Sequence, residues 1–237
     1  MNPIWIIAKR ELNSFFDSLV AYVVIIAFLG FSGLFTWLYG SDIFIRKEAD
    51  LRVFFQVAFW TLFFFIPALT MRQLAEEKKT GTIELLLTKN VSDRQVVLGK
   101  FAACLLMVCI ALAFTLPYYF TVAYLGDIDH GATIAGYLGL ILMSASYISI
   151  GLFASSITNN QIVAFLMALF IGVFFHFIFG VLASSATGWL GELFSTLSLA
   201  DHYESITRGV LDTKDLIYFG SLIFLGILLS ELNISTR

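Results

Sequence analysis

The 237-residue chain is 59% hydrophobic and 16% aromatic but only 13% charged, about half the charge of an ordinary soluble domain. Fourteen basic and seventeen acidic residues are too few to clothe a water-soluble domain of this size, so the composition excludes a soluble globular enzyme and makes the bilayer the solvent. A net charge of −3, with the basic residues gathered loop by loop, argues against nucleic acid as a partner.

In chain order, Asn2-Pro3 is a helix-start signal, a capping Asn with Pro in the first helical position. Trp5, Ala8, Leu12, Phe15 and Phe16 then share one face opposite Arg10, Asn13 and Asp17, the pattern of an amphipathic helix lying in the cytoplasmic interface. A helix that crosses a membrane needs about 20 mostly apolar residues. Leu19 to Tyr39, Val53 to Met71 and Phe101 to Gly126 are uncharged runs of 21, 19 and 26 residues, and they read as three spans. From His130 to Gly191 there are 62 residues without Asp, Glu, Lys or Arg, room for two crossings. The polar tetrad Thr158-Asn159-Asn160-Gln161 divides them into a fourth span, Gly131 to Ser156, and a fifth, Ile162 to Ala183. Leu216 to Ser230 begins the sixth, continued by Leu232 and Ile234 while Glu231 snorkels.

The expected fold is therefore all-α and polytopic, one domain over residues 1–237 with six transmembrane helices near 19–39, 53–71, 101–126, 131–156, 162–183 and 216–234. Between the fifth and sixth spans, Ala183 to Lys214 carries Trp189, Leu190, Leu193, Phe194, Leu197 and Leu199. It is too apolar for a solvated loop and reads as partly re-entrant or interfacial helices sheltered by protein. Lys and Arg divide nine to five in favour of the side that holds both termini and the loop between spans two and three, which makes that side cytoplasmic.

Catalytic signatures are lacking. Gly99-Lys100 is followed by Phe101 and preceded by Arg94 where a phosphate-binding loop needs Gly, and there is no HExxH zinc pair or GxSxG elbow. Glu76-Glu77 matches the paired glutamates of certain intramembrane proteases, but Thr80 and Gly81 stand where those expect Arg. Cys104 and Cys109, five apart on one helix, point about 140° from each other and cannot pair. They read as small apolar residues, with a metal relay through Met107 as the alternative. His176, mid-span in Phe174-Phe175-His176-Phe177, reads either as an interhelical hydrogen bond or as part of a transport path. Pro67 and Pro117 are expected to kink their spans, and Ala135, Gly136, Gly139, Ser146 and Ser149 suit close helix packing.

The informative stretch runs from Met71 to Gln95. Its charges through Lys79 predict a solvated helix extending span two, and Gly81 permits the left-handed turn that ends it. Ile83, Leu86 and Leu87 then share one face of a second short helix, and Ser92-Asp93-Arg94-Gln95 is a capping box that starts span three. Such a knuckle, apolar among charges and held between two spans, suits docking in a partner's groove.

Here the chain resembles type-2 ABC transporter permeases, whose cytoplasmic loop reads acidic pair, two variable residues, Ser or Thr, then Gly-Thr-hydrophobe-Glu-Leu-Leu. Glu76, Glu77, Thr80, Gly81, Thr82, Ile83, Glu84, Leu85 and Leu86 fit it, and Gly99-Lys100 fits its usual end. The resemblance extends to Lys9-Arg10-Glu11-Leu12, to Gly151-Leu-Phe-Ala-Ser-Ser156, to Asn160-Gln161 with Ala164, and from His202-Tyr203 through Arg208-Gly209-Val210 and Asp212 to Asp215 and Tyr218. Within that superfamily the chain is most similar to gliding-motility-associated permeases of the GldF type, with copper-site maturation permeases of the NosY type next. The C-terminus departs from the pattern, ending at Asn233-Ile-Ser-Thr-Arg237 with little basic charge.

The resemblance implies a non-catalytic half-transporter in the bacterial inner membrane, paired with a second copy or a related permease. Two separate ABC ATP-binding subunits would bind ATP and Mg, so this chain needs no cofactor of its own; a periplasmic accessory subunit is a further implied partner beside membrane lipid. Glu76, Glu77, Thr80, Gly81, Thr82, Ile83, Glu84, Leu86 and Leu87 would form the coupling helix, and Asn159, Asn160 and Gln161 a second cytoplasmic contact. The work performed would be export or, alternatively, mechanical transmission in which nothing crosses.

Overall fold

The structure is a computed structural model and describes residues 2–39, 49–81 and 91–235. Among them every regular element is helical, as expected for apolar chain that must satisfy its backbone within each segment once water is absent. Helix α1 (Pro3–Asp17) starts where the Asn2 side chain accepts the Ile4 N–H at 3.1 Å. Ser18 then turns the chain and caps α2 (Leu19–Trp37), the first span. The second span is α3 (Arg52–Thr70), followed after a tight turn by the short α4 (Ala75–Thr80). The third is α5 (Asp93–Ala113) continued by α6 (Leu116–Leu125), and the fourth is α7 (His130–Ile157). The fifth is α8 (Gln161–Val173), a π-helical turn at Phe174–Ile178 and α9 (Phe179–Ser185). Two short helices, α10 (Trp189–Leu197) and α11 (Leu199–Thr207), lead to the sixth span, α12 (Thr213–Ser235).

Six helical stretches are thus long and apolar enough to cross a membrane. The fourth is the hub, with 78% of its apolar window buried, against 22% for the first and fifth. Its small residues explain the difference, because they let neighbours approach the backbone. A Cβ on Gly136 would lie 2.5 Å from the Phe55 ring of α3, and one on Gly139 3.2 Å from Ile206 of α11. Ser149 in turn sits against Gly226 of α12 and donates to the Leu222 carbonyl at 3.3 Å.

Pro67 lies inside its span: α3 runs through it, the Met71 N–H returns to the Pro67 carbonyl, and the break in the helix falls at Met71–Leu74. The span is interrupted where a neighbouring helix supplies substitute hydrogen bonds, described below. Pro117, by contrast, opens α6 just after the helix breaks, near Thr115. The expected face of α1 is present apart from Trp5: Ala8 and Phe15 are buried, Leu12 and Phe16 pack partly buried against the core, and Arg10, Asn13 and Asp17 are exposed. Trp5 is 51% exposed, while Ile7, Ala8 and Phe15 are buried, because α1 packs on the start of α5, where Gly99 leaves room for Ile7. The segment 183–214 forms short helices as anticipated: α10 folds back on α9, with Phe179 and Phe194 stacked, and α11 buries Leu199, His202, Tyr203 and Ile206.

Candidate functional site

The end of span two, where the helix breaks and resumes as α4, is built from residues of three other helices. At the break after Thr70, the first N–H groups of α4 have no carbonyl one turn back, a deficit common to all helix starts. Ser155 of α7 fills it: its hydroxyl oxygen accepts from the N–H groups of Leu74 and Ala75, each at 3.0 Å, and donates to the Met71 carbonyl at 3.1 Å. One turn earlier on the same face, Gly151 admits Thr70 so closely that any Cβ there would overlap the Thr70 hydroxyl. Lys78 Nζ donates to the Ser156 carbonyl. The Gly151-to-Ser156 motif is thus the surface on which span two breaks and re-enters helix.

A buried charge network fixes the other flank of α4. Lys100, on the third span, is 1% exposed, and its Nζ lies 2.7 Å from Glu77 Oε1 and 3.4 Å from Glu11 Oε1. Arg10 closes the cluster, 2.6 Å from Glu11 and 3.6 Å from Glu77. The Lys100 ammonium sits directly against the half-buried Glu77 carboxylate. Without that ammonium, Glu77 would sit half-desolvated beside Glu11, a costly arrangement. Three elements distant in sequence, α1, α4 and α5, are therefore held by one cation.

This geometry refines the reading of the site residues. Glu77 turns inward to a partner within the chain and Lys78 is buried, so α4 is solvated on one face only, at Glu76, Lys79 and Thr80. Glu76 remains exposed, and the Thr80 hydroxyl donates back to its carbonyl at 2.9 Å. Gly81 ends α4 at φ +71, in the left-handed region where a Cβ is disfavoured. Thr82, Ile83, Glu84, Leu86 and Leu87 lie outside the described residues. Ser92 and Gln95 form the expected capping box of α5.

Asn159 and Asn160 form an exposed turn before α8, whose first residue is the half-buried Gln161, and the Asn160 side chain caps the helix by accepting the Ile162 N–H at 2.9 Å. Helix α8 also touches α4, so this turn lies on the same side as α4. His176 stands apart from both. It is 3% exposed in the π-helical turn, 2.7 Å from the Tyr147 hydroxyl, and stacked on Phe59 and Phe63 at 4.1 and 4.4 Å with Trp60 at its edge. Its hydrogen bond to Tyr147 joins spans four and five, and its ring contacts add span two. Ser155, Gly151 and Lys100 carried no role in the sequence beyond matching family patterns. Serine on an apolar helix looks the same whether it bonds its own helix or another.

A six-span helical bundle whose second span continues into a clamped, charge-locked surface helix is the framework of a membrane transport subunit. The chain belongs to the ABC-2 family of transporter proteins, whose model matches residues 48–231. No curated protein matches the chain significantly. It is a multi-pass membrane permease subunit of an ABC transporter, and its ATP-binding subunit is a separate partner.

Proposed function

We propose that residues 76–87 take up the movement of the ATP-binding subunit and pass it to spans two, three and four. The observation that supports this is the convergence at α4 of patches far apart in sequence: Arg10-Glu11, Glu77, Gly99-Lys100 and Gly151 to Ser156. A segment tied to three elements at once cannot be pushed without moving them all. Glu76 and the Ile83, Leu86 and Leu87 face serve as the docking surface, while Glu77 orients the segment from within, and the Asn159 to Gln161 turn gives a second contact beside it. His176, between spans two, four and five, is the residue of this chain placed to feel their relative movement along a transport path.

The complete assembly in this reading is two permease chains, identical or related, over two ATP-binding subunits that hold ATP and Mg. It sits in a bacterial inner membrane with both termini cytoplasmic, as the nine-to-five division of basic residues supports. Export or conformational work associated with gliding motility is the finer reading, resting on the sequence patterns alone, and a periplasmic accessory subunit accords with it. The test is made with the permease and its ATP-binding subunit in proteoliposomes. Gly81→Val and Leu86→Asp are expected to lose ATPase association or to uncouple hydrolysis from function. Normal insertion with both properties unchanged would overturn the coupling assignment.

A further inference from the structure

Hydroxyl groups at the surface of the spans find acceptors within their own helices. Thr61 donates to the Val57 carbonyl at 2.7 Å, Thr121 to the Pro117 carbonyl at 2.8 Å and Ser221 to the Tyr218 carbonyl at 2.7 Å. Gln56 is different: it is the only Asn or Gln within the uncharged runs of the six spans, and its longer side chain finds no such acceptor. One turn in from the start of α3 at Arg52, it is exposed on the surface of the bundle, and among the described residues its amide has no hydrogen-bond partner. A bare primary amide facing hydrocarbon leaves two N–H donors and a carbonyl acceptor unmet, and polar groups inside spans are normally turned toward protein for that reason.

The surface around Gln56 is shaped to receive a helix. Gln56, Trp60 and Phe64 follow one another at intervals of four along α3 and all three are exposed, so they form one bare ridge. The remaining faces of α3 pack on spans one, four and five, which makes this ridge the exception on an otherwise enclosed helix. Phe31 and Phe35 of the first span stand beside it, and the groove they make with Gln56 and Trp60 has a volume of about 440 Å³, room for several side chains. A two-fold axis brings a residue beside it to its own copy. A primary amide is both donor and acceptor, so two Gln56 side chains satisfy each other across such an axis, which lipid tails cannot do. Taking the two-permease assembly given above, we propose that the Gln56, Trp60 and Phe64 ridge is where a second copy of this chain packs, with the two Gln56 amides paired across the axis and the neighbouring groove filled by side chains of the other copy.

The chain has two cysteines, Cys104 and Cys109, which are first replaced by Ala. Gln56→Cys in membranes, in the complex with the ATP-binding subunit, is then treated with a short bifunctional thiosulfonate, and a cross-link between two copies of the chain is expected. Phe224→Cys, on the exposed face of the sixth span, should give none. Gln56→Leu removes a polar group from the membrane surface of the helix and so does not endanger insertion. It should weaken self-association of the full chain by about threefold or more, read as the dimer fraction on dilution in detergent. Mass measurement of the complex separates the possible failures. Two identical permeases without the cross-link at position 56 overturn this face and leave the two-permease reading standing. So does a Gln56→Leu chain that dimerises as well as the wild type. A second permease of different sequence also overturns the proposal, and a particle with one permease overturns the two-permease reading with it.

Discussion

The two membrane faces hold their short helices by the same device in different chemical versions. At the α4 junction a buried lysine is shared by Glu77 and Glu11, with Arg10 behind them. At the opposite face a histidine is shared by Asp215 and a backbone carbonyl. Lys100 is shared by carboxylates from two other helices, so one side chain ties α1, α4 and α5 together. His202 ties α11 to the first turn of the sixth span and to the end of α10. The surrounding packing differs as well. Helix α4 is stitched to the fourth span through backbone groups by Ser155 and Lys78, whereas α11 rests on the fourth span mainly through side chains over Gly139.

Breaking the lysine lock should have the largest effect. Lys100→Met leaves two carboxylates facing each other in a dry site, and losing one partner of a buried ion pair costs about 3–5 kcal/mol. Thermal unfolding in nanodiscs should show that loss, and adding Glu77→Gln should recover part of it. Additive losses in the double variant would show that the pair does not interact. Next comes Gly151→Val, whose side chain must displace Thr70, at roughly 1–3 kcal/mol for overpacking. A companion Thr70→Ala should relieve it; no relief would place the clash elsewhere.

Ser155→Ala strands the N–H groups of Leu74 and Ala75 without their acceptor, at about 1–3 kcal/mol. Because the loss is local, amide exchange should accelerate at residues 74–78 before it does in the core of span four. On the opposite face, Tyr203→Phe removes one hydrogen bond to the Phe55 carbonyl, about 1 kcal/mol, seen as a small drop in unfolding temperature. Arg208→Ala should change almost nothing, since its pair with Glu204 is exposed on both sides and such pairs contribute little. A large effect there would mean that this surface meets something besides solvent.

Where the physics is local, the sequence was legible. Apolar runs of span length, the Asn2-Pro3 start, the Ser92–Gln95 box and the glycine turn at Gly81 depend on residues a few positions apart, and the structure contains each of them. The face of α1 was legible except at Trp5, because hydrophobic periodicity locates apolar residues without saying what they meet. Its neighbour is a helix with a buried lysine, which Glu11 meets. The solvated reading of α4 holds for Glu76, Lys79 and Thr80 but not for Lys78, since the charge of Lys78 does not reveal the Ser156 carbonyl it meets.

The sequence by itself determined the solvent and the number of crossings, because the cost of burying charge and backbone in hydrocarbon is paid within each segment. Tertiary structure alone decided which charges are neutralised inside the chain and by what. Glu77 and Lys100 are 23 positions apart and Leu74 and Ser155 are 81 apart, and their pairing depends on how six helices pack around the small residues of the fourth. Hydrogen-bond partners at that separation leave no periodic trace along the chain, since either residue alone satisfies the local rules for its own helix.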